Sequence, residues 1–142
     1  MTSDAVVADA NVLLSAVVGG AAQRVFSEYD LRVHAAKFNL LEVEEYLPAM
    51  AAKYGLPFEL VLLSWKLLPL SAHNESDYQK EYPQALADLK KRDPEDAHAL
   101  ALARVLCLPL WSNDRDLAGL GVPCFTTANL LKTLEKQTKQ KT

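Results

Sequence analysis

Short runs of apolar residues alternate along this chain with longer segments in which apolar residues recur every three or four positions. The short runs predict buried strands, because each is too short for a helix and is bounded by polar or turn-forming residues. These strands are predicted at residues 5–8, 31–35, 109–112 and 122–125, and residues 68–71 form a connector or a further strand. The longer segments predict helices at residues 21–29, 39–54, 58–67, 77–91, 93–106 and 127–136. Strands that alternate with helices are typical of α/β proteins, so we predict an α/β/α fold of three layers with a central parallel sheet.

Two of the predicted helices begin at residues that commonly cap helices. Asn39 is predicted to cap the helix that stops near Gly55. Asp93 is predicted to cap the helix of residues 93–106, with Pro94 as its first helical residue.

The length and composition of the chain indicate one folded domain. It has 142 residues, of which 50% are hydrophobic and 23% are charged, which is an ordinary globular composition. No linker or repeat divides it, so we predict a single domain over residues 1–136 and a polar, frayed tail over residues 137–142. No apolar run is long enough to span a membrane, and no basic segment precedes an apolar stretch at the N-terminus. We therefore expect a cytoplasmic protein that does not enter a membrane.

Charge and cysteine content narrow the classes of function. The 15 Lys and Arg residues against 18 Asp and Glu residues give a formal net charge of −3. The chain thus lacks the strongly basic character that marks many nucleic-acid-binding domains. Two cysteines cannot form a disulfide framework or a cysteine-based zinc site. Because Cys107 and Cys124 both stand beside apolar residues, we expect buried free thiols.

Several carboxylates stand at positions that an α/β fold brings to one edge of its sheet. Asp9 and Asp114 each follow a predicted strand, and ligands of such folds bind beyond the carboxyl ends of the strands. Glu42, Asp96 and Asp116 lie near the starts of helices or in the loops beside them. Carboxylates that crowd together repel one another unless a cation joins them. Mg²⁺ and Mn²⁺ prefer such oxygen ligands, and either ion would let an acidic site act on a polyanion.

Each of these acids also has a purely structural explanation. Asp9 is suited to cap the turn after the first strand, and Asp96 is suited to the third position of its helix. Asp114 and Asp116 are common turn residues. Glu42 lies off the apolar stripe of its helix beside two further glutamates, which is typical of a solvated face. Only the set as a whole therefore indicates a metal-binding or catalytic site.

Four segments, in this order, carry the motifs of a known family. Residues 6–14 (VVADANVLL) resemble an opening strand with an Asp-x-Asn end, and residues 41–47 (LEVEEYL) resemble a helix motif of the form Glu-Leu-x-x-x-Leu. Residues 93–103 (DPEDAHALALA) resemble a D-x-x-D-A…L-A helix, and residues 110–117 (LWSNDRDL) resemble a [ST]-x-D-x-D-[FL] stretch. Together they make the chain similar to PIN domains, the metal-dependent nucleases that include the VapC-type toxins.

The resemblance implies a set of site residues around one or two Mg²⁺ or Mn²⁺ ions. The implied metal ligands are Asp9, Glu42, Asp96 and Asp114, with Asp116 as an auxiliary catalytic acid. Glu45 is the alternative to Glu42 if the helix is rotated. Asn11 and Ser112 would hold water or the ligands in place, and Asp93 matches a frequently acidic position although we assign it mainly as a cap.

The resemblance implies an endoribonuclease that hydrolyses phosphodiester bonds in single-stranded RNA. Some endoribonucleases of this kind are the toxins of toxin–antitoxin pairs, which is one role expected for this chain. Arg115, Arg24, Lys37 and the basic cluster at residues 90–92 are candidates for steering the RNA. The resemblance also implies a homodimer and an antitoxin protein as partners. The apolar segment at residues 58–65 is then core, a homodimer interface or an antitoxin groove.

Two other functions are considered beside the nuclease. One is a non-catalytic PIN module that binds RNA or a protein partner, and the complete set of acids argues against it. The other is a phosphatase of the haloacid-dehalogenase type, which needs a second aspartate where Asn11 stands. His98 is expected to be a surface or edge residue of its helix and not a ligand.

Overall fold

Five strands and seven α-helices alternate through residues 4–89 and 94–140, which are the residues that the computed structural model describes. The strands are β1 (Ala5–Ala8), β2 (Arg32–Ala36), β3 (Leu70–His73), β4 (Leu110–Trp111) and β5 (Cys124–Phe125). The helices are α1 (Ala10–Val18), α2 (Ala21–Glu28), α3 (Lys37–Lys53), α4 (Phe58–Leu67), α5 (Tyr82–Leu89), α6 (Asp96–Leu106) and α7 (Thr127–Gln140). Short 3₁₀ turns lie at Glu75–Asp77 and Arg115–Leu117.

The strands form one all-parallel sheet in the order β3-β2-β1-β4-β5. Val6 pairs with Val33 on one side of β1, and Val7 pairs with Leu110 on the other side. The chain therefore adds two strands on one side of β1 and then returns to add β4 on the opposite side. The carboxyl ends of β1 and β4 flank this switch point, which is where open α/β sheets bind their ligands.

Helices cover both faces of the sheet, which confirms the predicted three-layer fold. Because side chains alternate along a strand, Val6 and Ala8 pack toward α1 and α3, whereas Val7 packs toward α6. Every residue from Ala97 to Ala103 in α6 is buried, so this helix is apolar on nearly all sides. None of the described helices is both long and apolar enough to cross a membrane.

Helices α3 and α5 begin at other residues than predicted. Helix α3 starts at Lys37, so Asn39 is its third residue and not its cap. Helix α5 starts at Tyr82, because the chain forms a 3₁₀ turn at Glu75–Asp77 first, and this places Pro83 in the first helical turn, where a missing N–H breaks no hydrogen bond.

Helices α6 and α7 also differ from their predictions. Helix α6 starts at Asp96 with Glu95 at the capping position, so Pro94 precedes the helix. The predicted cap Asp93 lies outside the described residues. Helix α7 continues to Gln140, although a frayed tail was predicted from residue 137, and Thr138 donates from its hydroxyl to the Leu134 carbonyl within the helix.

The prediction of two buried thiols is wrong for one cysteine and only partly met for the other. Cys107 is exposed, because it ends α6 in the left-handed conformation with φ of 55°, where the chain turns outward. Cys124 is half-buried, and its burial raises the pKa of its thiol. Both thiols are free.

Helix α4 divides the apolar segment at residues 58–65 between core and surface. Val61 and Trp65 are buried against α3, whereas Leu60 and Leu63 are each 53% exposed. The segment is therefore core on one face only.

Candidate functional site

Asp9 is a buried carboxylate at the carboxyl end of the central strand. It follows β1 directly and caps α1, and its Oδ1 accepts the Val12 N–H at 3.0 Å. Only 5% of the residue is exposed. Burial raises the pKa of Asp9 above its ordinary value and the charge of Asp114 adds to the rise, while the hydrogen bond from the Ser112 hydroxyl opposes it. The site therefore holds a carboxylate that a nearby cation would favour in its charged form.

Asp114 lies in the loop after the neighbouring strand β4. Its backbone N–H donates to the Ser112 Oγ at 3.1 Å, and its own Oδ1 accepts the Asp116 N–H at 2.9 Å. Ser112 is fully buried and thus links Asp114 to Asp9, to which its hydroxyl donates. The exposed Asp116 supports the Asp114 carboxylate through its backbone.

A cleft of about 380 Å³ opens beside Asp9. Asp9, Asn11, Glu42 and Asp96 line it, so residues from the ends of β1 and α6 and from the middle of α3 meet there. Asp114 does not line the cleft, but its charge acts on Asp9, which does line it. Three of the four carboxylates that the resemblance implies as ligands therefore line the cleft, and the fourth, Asp114, lies near enough to Asp9 for its charge to raise the pKa of Asp9.

Asn39 is a further residue of this cleft that the sequence did not suggest. It is 2% exposed, and its Nδ2 donates to the Glu42 Oε1 at 2.7 Å. Its other amide atom, Oδ1, is the one buried side-chain nitrogen or oxygen without a hydrogen-bond partner among the described residues. The only hint in the sequence is its position three residues before Glu42, which places both on one helix face.

Comparison with known proteins identifies the family. The PIN domain family model matches residues 7–135. The chain belongs to the PIN domain family. This confirms the resemblance seen in the sequence motifs, and no curated protein sequence is recognisably similar to the chain.

Two solved structures share the fold of this PIN domain. One is a chain of a toxin–antitoxin complex from Klebsiella pneumoniae, with a TM-score of 0.63 and 20% identity over 86% of this chain and 97% of that chain. The other is the Mycobacterium tuberculosis toxin VapC20, described as cleaving the sarcin–ricin loop, with a TM-score of 0.57 and 15% identity over 82% of this chain and 95% of that chain. At these identities the likeness establishes the shared fold.

Two further predicted acids of the PIN domain, Glu45 and Asp116, do not line the cleft. Glu45 is exposed and does not line the cleft, so the rotation that would have made it the alternative to Glu42 is not observed. Its neighbour Glu44 accepts from the Trp65 indole N–H at 3.2 Å. The catalytic and ligand roles of the carboxylates stay predictions.

The cations predicted to steer RNA are scattered. Arg24 pairs with Glu28 on the exposed face of α2 at 2.7 Å. Lys37 and Arg115 are exposed and do not line the cleft, and the basic cluster at residues 90–92 lies outside the described residues. Lys53, at the end of α3, does line the cleft and was not predicted. It stands eleven residues after Glu42, three helical turns along the same face.

The prediction for His98 is wrong about its surroundings. The residue is 6% exposed, its ring stacks on Phe38 with centroids 3.9 Å apart, and its Nδ1 makes a 2.7 Å hydrogen bond with the Tyr78 hydroxyl. Tyr82 packs against it as well. His98 is therefore a core residue that joins α3, α5 and α6.

The donor set fits a magnesium or manganese ion. Within residues 4–89 and 94–140, no three His, Cys, Asp or Glu side chains form a closed cluster that would hold a metal. Mg²⁺ does not need one, because it usually keeps several waters and binds one or two carboxylates. Asp9 and Asp114 could form that pair, and the cleft has room for waters beside Glu42 and Asp96.

Proposed function

We propose that this PIN domain is a Mg²⁺- or Mn²⁺-dependent endoribonuclease that hydrolyses phosphodiester bonds in single-stranded RNA. The observation that carries the proposal is the convergence of Asp9 and Asp114 at the switch point of the sheet, next to a cleft lined by Glu42 and Asp96. Carboxylates in this position repel each other and a polyanion alike, so their arrangement favours chemistry that includes a divalent cation.

Each part of the site has a defined task in this reaction. When bound, one or two divalent ions would supply an activated water and stabilise charge on the attacked phosphate. Asp9 and Asp114 would hold the ions, and the Ser112 hydroxyl connects the Asp9 carboxylate to the backbone N–H of Asp114. Glu42 and Asp96, which line the cleft, would complete the set of metal ligands. Burial of Asp9 keeps bulk water away from the inner end of the site.

The wall formed by α3 is the proposed path of the RNA strand. Glu42, Tyr46, Met50 and Lys53 line the cleft at successive turns of this helix. The ring of Tyr46 is half exposed and offers a surface on which a base stacks. Lys53 supplies a positive charge for a phosphate at the far end from the acids.

We further propose that the nuclease is the toxin of a toxin–antitoxin pair. The support is that the two solved structures compared above come from toxin systems. An antitoxin protein and a second copy of the chain stay predicted partners. The exposed Leu60 and Leu63 on α4 belong to the segment for which such contacts were predicted.

The test is cleavage of an end-labelled pool of structured RNAs by purified protein with Mn²⁺, with Mg²⁺ and with EDTA. The Asp9→Asn variant controls for contaminating nucleases, and Asp30→Asn makes the same change at an exposed position away from the cleft. Metal-dependent cleavage by the wild type and by Asp30→Asn, but not by Asp9→Asn, is the expected result. Metal binding without any cleavage would instead favour the non-catalytic RNA- or protein-binding module.

A further inference from the structure

The carbonyl oxygen of the Asn39 side chain is buried without a hydrogen-bond partner, which sets it apart from the other buried polar side-chain atoms of the described residues. Asn39 is 2% exposed, yet no donor reaches its Oδ1 within the described part of the chain. A buried acceptor without a partner costs free energy, and such groups are rare in folded proteins. The atom therefore indicates a donor that is not part of the chain.

The orientation of the amide is determined by its neighbour. An ionised carboxylate only accepts hydrogen bonds, so the amide must turn its Nδ2 toward the Glu42 Oε1, 2.7 Å away. This leaves Oδ1 on the other side of the side chain. Asn39 lines the same cleft as Asp9 and Asp96, so its amide lies among the carboxylates.

A structural role does not explain the amide. Helix α3 is capped at Ala36 without a side-chain hydrogen bond, and Asn39 lies inside the helix, where asparagine is a poor helix former. A leucine has the same number of side-chain heavy atoms, favours the helix and leaves no acceptor unsatisfied. Helix propensity alone would therefore favour leucine at this position.

We propose that Asn39 is a positioning residue that holds Glu42 through Nδ2 and accepts, through Oδ1, a hydrogen bond from a water molecule on the divalent cation. The inference rests on the proposed function, because that cation belongs to the acidic cleft. A water on Mg²⁺ or Mn²⁺ is a strong donor, which suits an acceptor that is buried and uncharged. An aspartate would place a second carboxylate against Glu42, and a leucine would offer neither bond, so among side chains of this size the amide alone serves both partners.

The test compares Mn²⁺ binding by the wild type and by Asn39→Leu. The concentration of free Mn²⁺ is followed by its electron paramagnetic resonance signal, and the melting temperature is recorded in EDTA and at increasing Mn²⁺. Asn129→Leu is the matched control, since Asn129 is an exposed helical asparagine on α7. We expect Asn39→Leu to remain folded in EDTA and to bind Mn²⁺ about 10- to 100-fold more weakly, as is usual when an outer partner of a metal site is lost. Asn129→Leu should bind as the wild type does.

A second pair of variants keeps the test decisive if leucine prevents folding. Threonine and valine have nearly the same shape, but only threonine has a hydroxyl that both donates and accepts. Asn39→Thr should therefore bind Mn²⁺ more tightly than Asn39→Val.

The outcomes separate this inference from the proposed function. Equal Mn²⁺ affinity in the wild type and Asn39→Leu would overturn the role of Asn39 and leave the metal site standing. A large drop in the melting temperature of Asn39→Leu in EDTA, with unchanged Mn²⁺ affinity, would show that the amide has a structural partner instead. If the wild type itself binds no Mn²⁺ and shows no metal-dependent cleavage, both proposals are wrong.

Discussion

Asp9 and Asp114 extend from the carboxyl ends of adjacent parallel strands, and the charge of Asp114 contributes to the raised pKa of Asp9. The main cause of that rise is the burial of Asp9. Without a cation, the folded protein therefore holds a carboxylate in an unfavourable setting. Such an arrangement lowers the stability of the metal-free protein and creates a site that a divalent ion completes.

Replacing Asp9 with a neutral residue should raise the stability of the metal-free protein and abolish its activity. The Asp9→Asn variant keeps a side-chain oxygen for the Val12 N–H and loses the buried charge. We expect cleavage to be abolished, while the melting temperature in EDTA rises by roughly 2–4 °C, which corresponds to about 1 kcal/mol. Calorimetry with Asp30→Asn as the control measures the change. A variant that is less stable than the wild type in EDTA would show that the charged form of Asp9 contributes to folding.

Removing the hydroxyl of Ser112 should weaken both the fold and the metal site. The hydroxyl is buried, donates to Asp9 and accepts from the Asp114 N–H at 3.1 Å. The Ser112→Ala variant leaves these groups without a partner, so we expect a destabilisation of about 1–3 kcal/mol in urea unfolding and weaker Mn²⁺ binding. Ser64→Ala, at a half-buried position of α4, should change neither quantity appreciably. Unaltered Mn²⁺ affinity in Ser112→Ala would mean that the carboxylates do not need this link.

Much of the fold was predictable because its signals are local. The central strands β1 and β4 are buried on both faces, so they are short apolar runs that the pattern reveals, and Asp9 and Asp114 stand out because they follow these two strands. Asn39 was misassigned because asparagine is a good cap in isolation, whereas the observed helix begins two residues earlier.

The surroundings of His98 were not predictable from its neighbours along the chain. Its partners Phe38 and Tyr78 lie 60 and 20 residues away and meet it only when α3, α6 and the segment before α5 pack together. Flanking alanines gave no sign of this contact. Lys53 was missed for a similar reason, because only the length of α3 places it in the cleft.

Truncating His98 should therefore act mainly on stability. The His98→Ala variant leaves a cavity against Phe38 and removes the partner of the Tyr78 hydroxyl. We expect a loss of about 2–5 kcal/mol in urea unfolding, as for other large buried side chains cut to alanine. Cleavage by the fraction that remains folded should stay nearly intact at low temperature. A loss of several hundredfold in that fraction would give His98 a role in the reaction.

Lys53 should contribute to RNA binding more than to the chemical step. It lines the cleft at the end away from the acids, so it is placed to meet a phosphate of the bound strand. In an Asp9→Asn background that does not cleave, Lys53→Ala should weaken binding of single-stranded RNA. The slope of log affinity against log salt concentration should fall by roughly 0.7, the amount expected for one phosphate contact of a single strand. Lys66→Ala, an exposed lysine on α4 outside the cleft, should leave the slope unchanged.

The pair His34 and His73, on the adjacent strands β2 and β3, should make the free energy of unfolding depend on pH. The His34 Nδ1 lies 2.8 Å from the His73 Nε2, and the His73 Nδ1 lies 3.4 Å from an Asp77 carboxylate oxygen.

Burial lowers the pKa of His34 below its ordinary value of 6.5, and the nearby His73 and Arg32 lower it further. The unfolded chain then binds a proton at this residue more readily than the folded chain does. This difference in pKa contributes its full stabilisation of the folded protein above about pH 6.5. The contribution is lost as the pH falls from 6.5 through the lower pKa of His34 in the folded state. Urea unfolding of the wild type and of His34→Gln between pH 8 and pH 5 isolates this contribution, because the other titrating groups are common to both proteins. We expect the wild type to lose more stability on acidification than His34→Gln does, and equal losses in the two proteins would mean that His34 titrates alike in the folded and unfolded chains.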